Sequence, residues 1–429
     1  MKIDLNWFSS FLIFVSFLLS LFAYFVNEEY KIVASLFIWF SLFISFKELS
    51  NKKLIYILAS MSLIIYIFSY YNFFKVDYEK VFTVNQYLLT LLIGVSFLRL
   101  IATPKKQENA KIPKGRSSFL KTYIKVHLFG SIINMSSLII VADKMYKRSR
   151  LNDLQIILLT RAFSTDALWS MFFVAFAATL TYAPNLEEEV IIVNGLIIAF
   201  IGFLITYFEV SRSKKFDINS FEGYPLSLSS LVLPVCLAIM VLIAKYFNSE
   251  LKVILLISLF SFLLTFSVLI VKDKQDSYKK MKSFILNNLY NMKNEIALFL
   301  VAGVFGVLVG GLLVGLDIKV PFEQFDLFWA SLLLLFFVVL SFIGVHPIIT
   351  IAAIGDFLGN TNHTILATVF LISWSITVVA SPFSGLNLTM VSRYKLDMFK
   401  LFRLNILYSV ILFAVSIFSL YILLNFIKL

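Results

Sequence analysis

Apolar residues in this chain come in solid runs rather than alternating, and short polar, Lys-rich gaps separate the runs. Runs long enough to cross a hydrocarbon layer of about 30 Å occupy residues 7–26, 54–74, 82–102, 154–182, 189–210, 227–247, 251–271, 296–316, 363–392 and 403–427. A shorter run at 31–46 reaches across with snorkelling ends. Two more apolar segments, 119–142 and 327–358, either cross or enter and leave on one side. The pattern predicts an all-α polytopic membrane protein with about 11 transmembrane segments and two re-entrant helical hairpins.

Composition sharpens that picture. Of 429 residues, 60% are hydrophobic and 14% charged, against about 45–50% and about 25% in soluble domains. That excess cannot be hidden in a soluble core, which excludes a soluble enzyme, a disordered chain and a nucleic-acid binder. The net charge of +12 collects in the loops, where it sets orientation. Cys236 is the single cysteine, so no intramolecular disulfide forms. The run 7–26 exceeds a signal-peptide core and lacks a small-residue cleavage pattern, which makes it a first span.

Lys and Arg gather on the cytoplasmic side of membranes, and this decides between hairpins and crossings. With both segments re-entrant and the N-terminus inside, the inner segments hold 26 Lys and Arg and the outer loops hold six. With both segments crossing, the split becomes 15 inside and 17 outside. Hairpins are therefore expected. Non-helical backbone at membrane depth is tolerated only within protein or beside a watery cavity, so the hairpins mark a functional centre. Met281, Phe284, Ile285, Leu289 and Met292 recur at helical spacing among lysines, which predicts an interfacial amphipathic helix.

Matching segments repeat at a separation of about 213 residues, a spacing found by pairing apolar runs. Span 82–102 pairs with 296–316, hairpin 119–142 with 327–358, 154–182 with 363–392, and 189–210 with 403–427. The two halves have opposite orientation. The expected organisation is an extra span in 1–30, a first inverted repeat of five spans in 31–210 and a second in 211–429. Phe129-Gly130-Ser131 with Asp143 is similar to Ile343-Gly344-Val345 with Asp356, and Trp169-Ser170-Met171-Phe172 to Ala380-Ser381-Pro382-Phe383. Inverted repeats characterise secondary transporters, whose sites lie at the repeat interface.

In this architecture the chain resembles the ion transporter superfamily, in particular the divalent anion:sodium symporters. The resemblance covers the whole chain and extends to the interfacial segment 272–294. It implies a homodimer working by an elevator motion. Hairpin tips in that family carry Ser-Asn-Thr; here they read Gly130-Ser131-Ile132-Ile133-Asn134-Met135-Ser136-Ser137 and Gly344-Val345-His346-Pro347-Ile348-Ile349-Thr350.

Candidate chemistry concentrates in the two long runs and the two tips. Ser381-Pro382-Phe383-Ser384-Gly385-Leu386-Asn387-Leu388-Thr389 puts Pro and Gly three residues apart among hydroxyls and an amide. This would break a helix at mid-depth and expose N–H groups to an anion and carbonyls to a cation; a repaired Pro kink is the plainer alternative. The matching stretch holds Arg161, Ser164, Thr165 and Asp166. Charge at that depth faces a cavity or a partner: Asp166 to hold a coupling sodium ion or proton, Arg161 to meet an anion, or the two to neutralise each other. Asn134, Ser136, Ser137, Arg161, His346, Thr350, Ser381 and Asn387 are the candidate substrate ligands. Ser164, Thr165, Asp166, Ser384, Gly385 and Thr389 are the candidate coupling-ion ligands, with no metal beyond Na+ and no cofactor beyond a coupling Na+ or H+. Gly303, Gly306, Gly310 and Gly311 read as a helix-packing stripe.

Phosphate-cradling and metal-cluster motifs are absent from the sequence, so the expectation is a transporter and not an enzyme. It would be a bacterial inner-membrane protein with its N-terminus inside, driven by an ion gradient and carrying a small carboxylate-type anion. The expected partners are that anion, membrane lipids and a second copy of the chain, with no nucleic acid. Two other readings compete: an antiporter or exporter using Asp166, and a membrane-embedded enzyme on a lipid-linked substrate using His346 or Asp166.

Overall fold

Polar residues at the edges of the apolar runs fix where helices start. Asp77, Asn152, Asp326, Asn362 and Ser384 each accept a backbone N–H in the first turn of a following helix, satisfying donors that lack an intrahelical partner. At Asn152 the exchange is reciprocal, because Gln155 also accepts the Asn152 N–H. This capping box lies in Asn152-Asp153-Leu154-Gln155, just before a long apolar run.

The computed structural model describes residues 5–102, 113–224 and 232–426. Its helices are α1 (Leu5–Phe25), α2 (Tyr30–Ser45), α3 (Lys52–Tyr71), α4 (Tyr78–Thr83), α5 (Gln86–Ser96), α6 (Arg99–Ala102), α7 (Arg116–Ile133), α8 (Met135–Tyr146), α9 (Asp153–Ser164) and α10 (Val174–Tyr182). They continue as α11 (Glu188–Arg212), α12 (Val232–Phe247), α13 (Val253–Asp273), α14 (Ser277–Ser283), α15 (Lys293–Gly315), α16 (Leu327–Phe342), α17 (Pro347–Gly355), α18 (His363–Ala380), α19 (Gly385–Tyr394) and α20 (Met398–Phe426). No strand forms among the described residues. Eight helical stretches there are long and apolar enough to cross a membrane. The chain is an all-α polytopic membrane protein.

The chain divides into two compact units, each drawing on both sequence halves. One unit takes residues 1–102, 235–321 and 348–359; the other takes 103–234, 322–347 and 360–429. In the first, α1 packs on α2, α5 on α13, and α3 on α15. Gly303 and Gly306 of α15 allow close approach, to the Asn85 side chain and to the Ala352 backbone. In the second unit, α18 runs through the centre against α16, α20 and α9. Within the stretch His363–Tyr394 the apolar window is 94% buried, against 22% for α3. That contrast locates the second unit's core: α18 is wrapped in protein, and α3 turns most of its apolar surface outward.

Several expected elements take a different form. The run 82–102 is interrupted into α4, α5 and α6, whereas its counterpart forms the continuous α15. Asn85, at the first interruption, donates from Nδ2 to Phe299 O at 2.7 Å. Glu188 and Glu189, at the polar edge of the 189–210 run, open α11, where carboxylates complement the helix N-terminus. The amphipathic segment 281–292 buries Met281, Phe284, Leu289 and Met292 as its spacing predicts. Its backbone is irregular, passing from α14 through a π turn at Phe284–Asn288 to a 3-10 turn at Leu289–Met292. Part of the 227–247 run, residues 227–231, lies outside the described residues.

Candidate functional site

Each of the two segments expected as hairpins, 119–142 and 327–358, is a pair of helices separated by a break. The break between α7 and α8 is the single residue Asn134, at φ 52° and ψ −145°. That conformation is strongly disfavoured for a residue with a side chain. Hydrogen bonds hold it: Asn134 N–H donates to Gly130 O at 3.0 Å, and Nδ2 donates to Phe172 O at 3.2 Å. In the second hairpin the chain leaves α16 through Gly344, at φ 98°, a value open to glycine alone without strain. Pro347 then starts α17, where its missing N–H costs nothing.

Both long runs break as well. The first passes from α9 through a 3-10 turn at Thr165–Leu168 and an irregular stretch before α10; the second stops at Ala380 and resumes at Gly385. The same pair of hydrogen bonds forms at each break. Ser170 Oγ donates to Ser131 O and accepts Phe172 N–H at 3.2 Å. Ser381 Oγ donates to Ser341 O at 2.7 Å and accepts Phe383 N–H at 3.2 Å. Ser131 precedes the break residue Asn134 by three positions, and Ser341 precedes Gly344 by three. Each break is thus tied to the arm of a hairpin one turn before its tip.

At the second break, polar oxygens face a small enclosed space. Ser384 Oγ accepts Asn387 N–H at 3.1 Å and donates to Val378 O at 2.8 Å. Asn387 is buried, and its Nδ2 donates to Val379 O at 3.1 Å and Ser381 O at 2.9 Å. Two carbonyl partners fix the orientation of the amide, and its Oδ1 has no protein donor. Ser341, Gly344, His346, Thr377, Ser381 and Ser384 line a cavity of about 20 Å³. That volume suits one water molecule or a bare cation and excludes a carboxylate substrate. Among the described residues no three His, Cys, Asp or Glu side chains gather to hold a metal, so a cation here would be held by hydroxyl, amide and carbonyl oxygens, as hard ions prefer.

The other candidates divide into separate groups. Asn134 and Ser137 belong to the first tip, where Ser137 Oγ donates to Asn134 O at 2.9 Å and Asn134 Oδ1 lacks a protein donor. Ser136 is in the first turn of α8, with its side chain outside the described set. His346 packs edge-on to Trp374, with ring centroids 5.5 Å apart. Thr350 sits in α17, which groups with the first unit from Ile348 onward. Gly385 opens α19, and Thr389 turns its Oγ back to Gly385 O at 2.7 Å. Ser164 Oγ donates to Arg161 O at 3.1 Å.

Arg161 and Asp166 do not face each other. Arg161 is completely buried; it meets Glu209 at 2.7 and 3.3 Å, Leu404 O at 2.7 Å and Asn405 Oδ1 at 3.1 Å. Its guanidinium also stacks 4.4 Å from the Tyr408 ring centroid. Four of its five N–H donors are therefore committed to α11 and α20. Glu209 was not singled out in the sequence, because it falls at the polar edge of the span 189–210. Asp166, also completely buried, lies 2.7 Å from His127 Nδ1, and Thr165 Oγ1 lies 3.2 Å from the same nitrogen. His127 had no sequence signal linking it to Asp166, 39 positions away.

At the polar end of this unit, Arg393 grips Asp143 in a bidentate pair at 2.6 and 2.7 Å. The guanidinium and the Tyr394 hydroxyl, 2.9 Å away, hold the Asp143 carboxyl below the usual carboxylate range.

Eight helical stretches of membrane-spanning length among the described residues, with polar side chains buried between them, define a polytopic helical membrane protein. The chain matches no family model, and no curated protein matches it either.

Proposed function

We propose that the protein is an ion-coupled secondary transporter of a small organic anion of the carboxylate type. It would be related in architecture to the divalent anion:sodium symporters and sit in a bacterial inner membrane with its N-terminus inside. The observation that carries this reading is the matched pair of hydrogen bonds, Ser170 to Ser131 O and Ser381 to Ser341 O. Two unrelated kinks would have no reason to share donor, acceptor and register. An inverted repeat of five spans, re-entrant at 119–142 and 327–358, accounts for all three. Broken helices offer N–H groups to an anion and carbonyls to a cation, and Ser381, Ser384 and Asn387 supply the oxygens for the cation.

The division of the chain supports an elevator motion. The unit formed by 103–234, 322–347 and 360–429 contains both breaks, the first hairpin segment and the second tip, while residues 348–359 of the second hairpin segment group with the other unit. The residues of 1–102 and 235–321 would form the scaffold and, as a homodimer, the partner face.

Uptake into proteoliposomes tests the reading. A panel of small carboxylates is offered under an imposed Na+ or H+ gradient, and accumulation of one anion that collapses with the gradient is expected. Asn387→Ala is expected to lower that uptake at least about tenfold, the effect of losing about 1.4 kcal/mol of site energy. Gradient-independent leakage, or no flux of any carboxylate from a folded sample, would remove the proposal.

A further inference from the structure

Arg161 and Asp166 are five residues apart and belong to separate charge sets. Arg161 is neutralised by Glu209, which leaves Asp166 with His127 as its one ion-pair neighbour among the described residues. The hydrogens of that pair can be counted. An indole nitrogen only donates, so the 3.1 Å bond from Trp169 Nε1 to His127 Nε2 marks Nε2 as the lone-pair nitrogen and places the ring hydrogen on Nδ1. Three oxygens lie around that hydrogen, Asp166 Oδ1 at 2.7 Å, Ala162 O at 2.9 Å and Thr165 Oγ1 at 3.2 Å from Nδ1, and it cannot be given fully to all of them. Asp166 Oδ2 meets no protein donor. It lies so close to Gly130 that a carbon added there would come within 2.1 Å. The two buried carboxylate oxygens thus have at most a share of one ring hydrogen between them, and Gly130 closes against one side of Oδ2.

We infer that His127 and Asp166 form a proton-binding site, in which the Asp166 carboxylate takes up one H+ while Trp169 keeps the His127 ring from taking it instead. The carboxyl O–H bond forms as an O–H bond of hydronium breaks and releases water, and the pair goes from a charge of −1 to zero. The imidazole, 15% exposed against 0% for Asp166, is the side of the pair that reaches the surface. The other ionisable side chains at this level are Tyr123 of α7 and Tyr408 of α20, with Arg161 of α9 already held by Glu209 of α11. From α18 the only titratable residue is His363 at its first position, bound by Asn185 N–H at 3.0 Å. A change of one charge at full burial is costly in a membrane protein, so loading the proton would bias the unit that carries it. That this proton drives transport rests on the function proposed above; that the pair binds it does not.

The test is infrared difference spectroscopy of the full chain in lipid nanodiscs, without substrate, between about pH 5 and 8. The expected result is a protonated-carboxyl C=O band that grows as the pH falls, shifts with carbon-13-labelled aspartate, is lost in Asp166→Asn and does not respond to Na+ at fixed pH. Trp169→Phe retains an aromatic ring but frees Nε2, so the carboxyl band should weaken as an imidazolium signal rises. Should Asp166→Asn fail to fold, the isotope shift and Trp169→Phe still decide. A carboxyl band unmoved by the aspartate label, one that survives Asp166→Asn, or one abolished by Na+ at constant pH would overturn the assignment. A titrating site in a protein that accumulates no anion would remove the transport reading alone, and sodium-driven uptake with a silent carboxyl would remove this one alone.

Discussion

Single residues decide the electrostatics of this protein because the solvent around them is protein and lipid. Arg161 is completely buried, and Glu209 is 29% exposed at its side chain. Breaking such a pair leaves an uncompensated buried charge. Glu209→Gln should therefore destabilise the protein by about 3–5 kcal/mol, and adding Arg161→Met should recover much of that loss in chemical unfolding. Gly130→Ala is a steric test of a different kind. Its methyl would meet Asp166 Oδ2 at 2.1 Å, so the carboxyl must move, at a cost of about 1–3 kcal/mol and with a shifted proton affinity in the infrared titration. Neither residue announces its role in the sequence. Glu209 sits where any membrane helix would place a polar residue, and Gly130 is one small residue among many.

At the scale of elements, hydrogen bonds from serine hydroxyls stabilise the breaks in α9–α10 and α18–α19. Ser170→Ala and Ser381→Ala each leave a buried carbonyl and a backbone N–H without their partner. Each should cost about 1–3 kcal/mol, and the two losses should be similar because the bonds are the same. A large loss from one and none from the other would argue against equivalent breaks. The Asp143–Arg393 pair joins α8 to α19 in the open, with side chains 31% and 50% exposed, and is worth no more than about 1 kcal/mol. Because the folded state depresses the Asp143 pKa, this stabilisation is complete above the unfolded value of about 3.9. It is lost as the pH falls through the lower folded value. Thermal unfolding followed downward in pH should show that loss, and Arg393→Gln should abolish it.

For the whole molecule, the consequential feature is that the chain changes unit repeatedly, so that neither unit is a continuous half of the sequence. The repeat boundaries expected at 30 and 210 group segments by ancestry and orientation, whereas the compact units group them by packing. Reporter tags placed at 143–153 and at 183–188 should report opposite sides of the membrane; the same side for both would sink the re-entrant topology. Spin labels on the outward face of α3 should collide with lipid-soluble quencher, and labels along α18 should be shielded, as their burial requires.

The sequence by itself determined the class and the location of the breaks within 154–182 and 363–392, but not the interruption of 82–102. Long apolar runs leave a chain few stable arrangements besides membrane helices. Pro382 with Gly385, and the polar cluster from Ser164 to Ser170, interrupt helices for local reasons of lost N–H groups and competing hydroxyls. Only the tertiary structure decided the partners. Asp166 meets His127 and not Arg161, Arg161 meets Glu209, and Ser170 and Ser381 find carbonyls about 40 residues away along the chain, all through contacts between elements that composition and periodicity leave unspecified. Periodicity says which face of a helix is apolar. Which neighbour satisfies a buried polar atom depends on how the helices pack, and that is a property of the folded chain.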